Sequence, residues 1–222
     1  TNVTIDDVTA VWSGLRPLVR NEDGTTAKGK TADLSRKHKV AVSSSGVISI
    51  MGGKLTTYRK MSEHTVDEVV KHTGKAKKCK TKNLQFIGAK GFKSSMSDGP
   101  DAHLAERFGS ELNRVKELIA QDSSLAEPLI AGLPYLRAEA VFACRNEMAQ
   151  TLDDVLSRRT RARIINRRAT PASARKVAEL MATELHWDAA EIDRQVAFFV
   201  DSCSREEAAG LVSEAEFLAS VQ

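Results

Sequence analysis

Between Gly46 and Val70 the apolar positions change their spacing within a few residues. Val47-Ile48-Ser49-Ile50-Met51 is a short run rich in β-branched residues, which predicts a buried strand. Gly52-Gly53 interrupts it, and Lys54-Leu55-Thr56-Thr57 follows. Tyr58, Met61, Thr65, Val66, Val69 and Val70 then fall at steps of three and four, which predicts a helix. The order is strand, tight glycine turn, helix N-terminus. Upstream, Val8, Val11, Trp12, Leu15, Leu18 and Val19 form an apolar stretch that contains Arg16-Pro17. Pro17 keeps Arg16 out of the helical region, on an extended or turning backbone. Residues 20–34 are polar and read as a loop; the basic run Ser35–Lys39 then leads into Val40-Ala41-Val42.

Beyond residue 97 every signal is helical. Ser97 or Asp98 can cap a first helix with Pro100 in its first turn, its buried stripe being Leu104, Phe108, Leu112, Val115 and Ile119. Leu133-Pro134-Tyr135-Leu136 breaks the chain, and Val141, Cys144 or Arg145, and Met148 mark a second helix. Thr151-Leu152-Asp153-Asp154 has the form of a capping box opening a third, with Leu152, Val155 and Leu156 inside. Thr170-Pro171 starts a fourth around Val177, Leu180, Met181 and Leu185. Asp188–Glu191 starts a fifth around Ile192, Val196, Phe199, Val200 and Cys203, and a short last helix is expected near 204–219.

Charge divides the chain in the same way. Residues 1–100 carry a net +9 and residues 101–222 a net −5, so two units of different job are expected. Residues 71–93 hold eight lysines and no acid and read as a solvated connection. No apolar run reaches the roughly 18 residues needed to cross a bilayer. Three cysteines without metal-type spacing argue against a disulfide scaffold or a zinc site and for a reducing compartment. Five histidines (38, 64, 72, 103, 186) show no ligand spacing, so no metal is expected. The chain opens without Met and without a signal or transit pattern, which reads as a segment of a longer protein or a processed chain.

Three features could carry chemistry. A helix start presents free N–H groups and partial positive charge, and glycines allow close backbone approach. The Gly52-Gly53 turn with Lys54, Thr56 and Thr57 therefore suits a phosphate or an anionic part of a cofactor; the alternative is a plain strand–helix turn. Arg16 and Arg36 offer fixed forks for phosphate or carboxylate, against the alternative of surface charge. Arg158, Arg159, Arg161, Arg163, Arg167 and Arg168 crowd into eleven residues with no acid. They face either acids of their own half or an anionic surface, lipid or nucleic acid. With 5% aromatics, none interleaved with the basic runs, nucleic acid is not expected as a partner.

The ordered blocks WSGLRPLV (12–19), SRKHKV (35–40) and GVISIMGGKLTTYRKMSEHTVDEV (46–69) resemble the C-terminal part of the FAD-dependent, aerobic-type glycerol-3-phosphate dehydrogenases. LPYLRAEAVFACRNEMAQTLDDVLSRRTR (133–161) is similar to that family's C-terminal helical domain. The resemblance implies a mixed α+β chain: residues 1–75 end a two-domain flavoprotein body, 76–94 link, and 95–222 form an all-α domain. The GxGxxG that binds the ADP half of FAD in such enzymes is absent from this chain.

The resemblance further implies oxidation of glycerol 3-phosphate to dihydroxyacetone phosphate, with FAD as hydride acceptor and a membrane quinone beyond it. It places Gly52, Gly53, Lys54, Leu55, Thr56 and Thr57 at the cofactor, the amides of Lys54, Leu55 and Thr56 facing the reduced ring. It places Arg16 at the reacting carbinol as the catalytic residue, and Arg36 and Lys54 at the phosphate. It implies a cytoplasmic enzyme, peripheral on the inner face of the cell membrane, and leaves homodimer contact, membrane docking and shielding of the body open as roles of the helical domain. An oxygen-using oxidase shares these motifs, and a non-catalytic helical anion-binding module is the alternative outside enzymes.

Overall fold

The computed structural model describes Asp7, Gly14 and residues 38–74, 78–93 and 101–211, without the side chains of 210 and 211. The chain divides into two units, one within Ser13–Phe86 and one built on Ile87–Gln222. The mixed class expected from the sequence is the class observed: a small two-stranded sheet with one helix, then helices throughout.

In the first unit β1 (Lys39–Val42) pairs antiparallel with β2 (Ile48–Met51), Val40 opposite Ile50 and Ala41 opposite Ser49. Gly46, at φ 83°, turns the hairpin, and Ser43 N–H closes it on Val47 O at 2.9 Å. Helix α1 (Tyr58–Thr73) packs on the hairpin and stops at Gly74 in the left-handed region, whose N–H donates to Val70 O. The strand read as buried is not. None of the described residues of this unit is buried, and Ile50, Met51 and Val66 are exposed. The register puts the β-branched residues Val40, Val42, Ile48 and Ile50 on one face, where Ile50 lies beside Met61 and Val66 of α1, but one helix covers that face only in part, and Val42 and Ile50 stay exposed.

In the second unit the stripe expected over 104–119 is split. Helix α2 (Ala102–Phe108) ends at Gly109, a 3₁₀ turn covers Gly109–Glu111, and α3 (Leu112–Gln121) resumes. Leu104, Phe108, Leu112 and Val115 are buried as expected, but the break resets the phase, so Leu118 is buried and Ile119 only partly. Ser97, Asp98 and Pro100 lie outside the described residues; Asp101 precedes α2.

Helix α4 (Arg137–Asn146) is the axis of the unit, with Ala138–Ala143 all buried. Ala138, Val141 and Phe142 face α2 and α3, while Ala140 and Ala143 face the second cluster. Met148, expected inside this helix, lies past its end at φ 57° and is exposed. The capping box forms as read: Asp154 Oδ2 accepts from Thr151 N–H, and Thr151 Oγ accepts from Asp154 N–H. The box opens a π-helical segment, Asp154–Arg159, with Val155 and Leu156 buried. After α5 (Ala162–Ile165), helices α6 (Ala169–Leu185) and α7 (Ala189–Leu211) lay Val177, Met181 and Phe199 into the same cluster. The separate helix expected near 204–219 is instead the end of α7 as far as Leu211.

All three cysteines are free, Cys79 exposed and Cys144 and Cys203 partly buried. Burial, then the Glu184 carboxylate, pushes the Cys144 thiol up to about 11, and burial raises that of Cys203. At pH 8 iodoacetamide is expected to label Cys79 first, with Cys144 and Cys203 roughly tenfold or more slower until urea is added. Peptide mass spectrometry over a time course reads the order, and equal rates in the folded chain would contradict the burial seen here.

Candidate functional site

The turn after β2 is built by two left-handed glycines, Gly52 at φ 71° and Gly53 at φ 86°. A side chain at Gly53 would be strained and would meet Met61 Sδ at 2.6 Å and His38 Cβ at 3.2 Å. The glycine thus lets the turn lie directly on α1 and on the start of β1. Lys54 then runs extended (φ −129°, ψ 150°), and Leu55–Thr57 form a 3₁₀ turn that passes without a break into α1.

At the turn where the sequence suggests an anion could sit, one of the three amides is already in use. Thr57 Oγ1 donates to Lys54 O at 2.9 Å and accepts the Lys54 N–H at 3.3 Å. Lys54 N–H therefore already has a partner. The amides of Leu55 and Thr56, at the first two helical positions, have none within the helix. Leu55 itself is 88% exposed at the tip of the turn, beside the exposed Lys54. Arg59 is held by Glu63 at 2.7 Å and by the Thr81 hydroxyl at 3.1 Å. The hydrogen bond from Lys60, then that from Arg59, hold the Glu63 carboxyl below the usual range. Lys54 is thus the cation left facing outward beside the glycine turn, and no carboxylate approaches it among the described residues. Arg16 and Arg36 lie outside the described residues, so Gly52, Gly53, Lys54, Leu55, Thr56 and Thr57 are the expected site residues that the structure brings together.

Three of the six clustered arginines pair with acids of their own half. Arg158 pairs with Asp153 at 2.7 Å and Asp154 at 3.0 Å, and Arg159 with Asp154 at 3.4 Å. Arg163 pairs with Glu206 at 2.6 Å, donates to Ser202 O and lies 5.8 Å over the Phe199 ring. The acids that neutralise these three come from just before the cluster and from α7. Burial raises the Asp154 carboxyl, but hydrogen bonds from Gln150 and Thr151 and the charge of Arg158 outweigh it and hold it below the usual range. Among the described residues no helix is long and apolar enough to cross a membrane.

Two constellations escaped the sequence reading. His38 Nε2 and His64 Nδ1 lie 2.8 Å apart beside the glycine turn. In the helical unit, Glu139 is fully buried and meets His103 at 2.9 Å and Arg107 at 2.5 Å. Separations of 26, 36 and 32 residues leave no local signal for either.

The family model for the C-terminal domain of alpha-glycerophosphate oxidase matches residues 79–192. A glycerol-3-phosphate dehydrogenase 2 of Mycobacterium tuberculosis is 35% identical over 213 residues, covering 90% of this chain and 36% of the relative. A mitochondrial glycerol-3-phosphate dehydrogenase of Arabidopsis thaliana is 33% identical over 209 residues, 82% of this chain and 32% of its own. The crystal structure of the Bacillus halodurans glycerol-3-phosphate dehydrogenase complexed with FAD superposes with a TM-score of 0.70 at 29% identity. It covers 95% of this chain, which in turn spans 42% of that one. The chain spans about a third of the length of the curated relatives it matches.

Proposed function

Because the chain belongs to the family of the C-terminal domain of alpha-glycerophosphate oxidase and FAD-dependent glycerol-3-phosphate dehydrogenase, we propose that it is the C-terminal portion of such a dehydrogenase. On this reading residues 1–75 complete the flavin and substrate body, 76–94 connect, and 95–222 form the appended helical domain. The observation that carries it is the paired-glycine turn that ends in two open amides at a helix start, with Lys54 outward. The uncovered apolar residues of the hairpin and α1 suit a unit that is completed by more polypeptide.

The residues present fit one edge of a flavin ring and not its nucleotide half. The left-handed glycines bring the backbone close, Leu55 offers an exposed apolar contact, and the amides of Leu55 and Thr56 stabilise negative charge as an oxyanion hole does. Bound there, FAD would supply the hydride acceptor for the oxidation of glycerol 3-phosphate. Lys54 and Arg36 hold the substrate's phosphate dianion and Arg16 lies at its carbinol. Fixing the phosphate fixes the distance from the carbinol carbon to the ring, which supplies much of the rate. Electrons leave to a membrane quinone, from an enzyme peripheral on the inner face of the membrane and able to form a homodimer. A purely anion-binding helical module is disfavoured by the ion pairs that occupy Arg158, Arg159 and Arg163.

In the enzyme that joins this segment to its nucleotide-binding part, anaerobic glycerol 3-phosphate is expected to bleach the bound flavin. Arg36→Ala is expected to raise KM about 10- to 100-fold, the worth of a charged hydrogen bond to phosphate, at unchanged FAD content. No bleaching would sink the activity; wild-type KM would remove Arg36 from the phosphate.

A further inference from the structure

We propose that His38 and His64 form a two-imidazole chelate for a borderline divalent transition-metal ion of the zinc class, with water completing its shell. His38 stands just before β1 and His64 within α1. Their facing nitrogens are 2.8 Å apart, the ring centroids 4.9 Å apart, and the planes inclined at 44°. At that distance one nitrogen donates and the other accepts. Moving the donor's proton to the far nitrogen of its own ring, the other neutral tautomer, leaves two lone pairs facing each other.

The geometry is close to what an ion needs. Zinc–nitrogen bonds of about 2.0–2.1 Å at a tetrahedral angle set the two nitrogens roughly 3.3 Å apart, so the rings need part by about half an ångström and tilt by roughly 35° each toward the ion. The scaffold holds them ready. His38 Cβ lies 3.2 Å, and Met61 Sδ 2.6 Å, from where a Cβ on Gly53 would sit. The start of β1, the glycine turn and α1 therefore meet at this point, with Met61 one helical turn before His64. His64 is exposed and His38 partly buried, which gives an ion access from water. Neutral imidazoles suit zinc, copper or nickel and not magnesium or calcium. Among the described residues no three His, Cys, Asp or Glu side chains converge. The ion is accordingly held by two protein ligands and exchanges, unlike one in a four-ligand structural site. A bound ion would clamp strand to helix beside the glycine turn, and this holds whether or not that turn carries a flavin.

The test is Zn²⁺ binding to the whole 222-residue chain in a Cys79→Ser background, by competition with a chromophoric chelator. His38→Gln and His64→Gln are each expected to weaken binding roughly tenfold or more, with His72→Gln at the affinity of the parent and helical circular dichroism unchanged. In the parent, substoichiometric Zn²⁺ is expected to shift the imidazole proton resonances of His38 and His64 together. Unchanged affinity in either of those two variants, an equal loss in His72→Gln, or shifts confined to other histidines would overturn the proposal. If a variant loses helical signal, the resonance experiment on the parent decides alone.

Discussion

Glu139→Gln is expected to destabilise the helical unit by about 3–5 kcal/mol, the range for breaking a buried ion pair from one side. The side chain of Glu139 has no exposed surface, yet both carboxylate oxygens are in use. Oε2 accepts from Arg107 Nε at 2.5 Å. Oε1 meets His103 Nε2 at 2.9 Å and accepts the Leu136 N–H, also at 2.9 Å, which caps the helix that carries Glu139. Arg107 in turn donates to Arg159 O and stacks on Phe108 and Tyr135. One carboxylate thus ties α2, the start of α4 and the end of the π-helical segment together. Glutamine keeps the shape but places an amide N–H₂ where one of these donors points, and leaves Arg107 charged against a neutral group.

Urea unfolding followed by circular dichroism measures the loss. A second variant identifies its origin. If the cost is the abandoned guanidinium, Arg107→Met added to Glu139→Leu should restore part of the stability lost by Glu139→Leu alone. A double variant as unstable as the sum of the two single ones, or a Glu139→Gln loss under about 1 kcal/mol, would mean that the network contributes little.

This network shows where a sequence stops being informative. Period and punctuation made the local elements legible: the run before Gly52-Gly53, the α1 stripe, the Thr151–Asp154 box, and the apolar faces of α6 and α7. Each of these signals lies within one turn or a few strand residues, where backbone geometry dictates spacing. Whether the strand was buried depended on what covers it, which the hairpin's own residues do not encode. The side-chain partners of Glu139 and of His38 lie more than 25 residues away in sequence, and no period connects them. In the candidate site, the glycine turn and Lys54 could be found from pattern, and the roles of the residues came from resemblance. That Thr57 would take the Lys54 amide could not be foreseen, because it depends on how the 3₁₀ turn closes.

Gly109→Ala is expected to cost about 3 kcal/mol or more, and its cause is steric, not electrostatic. The apolar stripe from Leu104 to Val115 reads as one helix, yet the chain breaks at Gly109, which takes φ 58° and ψ −129°. That conformation is open to glycine and strained for any L side chain. The break exists because another backbone passes there. Gly88, itself at φ 86°, lays its carbonyl against the gap, and Ser110 N–H donates to that oxygen at 2.9 Å. A Cβ on Gly109 would lie 2.2 Å from Gly88 O, and one on Gly88 would lie 2.4 Å from Phe108 O. Neither obstacle is a flexible side-chain tip, so relief requires the 87–91 turn to leave α2. Gly88→Ala should therefore cost a similar amount. The double variant should cost clearly less than the sum, because the first methyl already drives the two segments apart. Hydrogen exchange gives the independent readout: in Gly109→Ala the Ser110 amide should lose protection, while amides in the middle of α6 keep theirs until global unfolding. A Gly109→Ala chain within about 1 kcal/mol of the parent, or strict additivity of the pair, would show that the two glycines do not hold the loop against the helix.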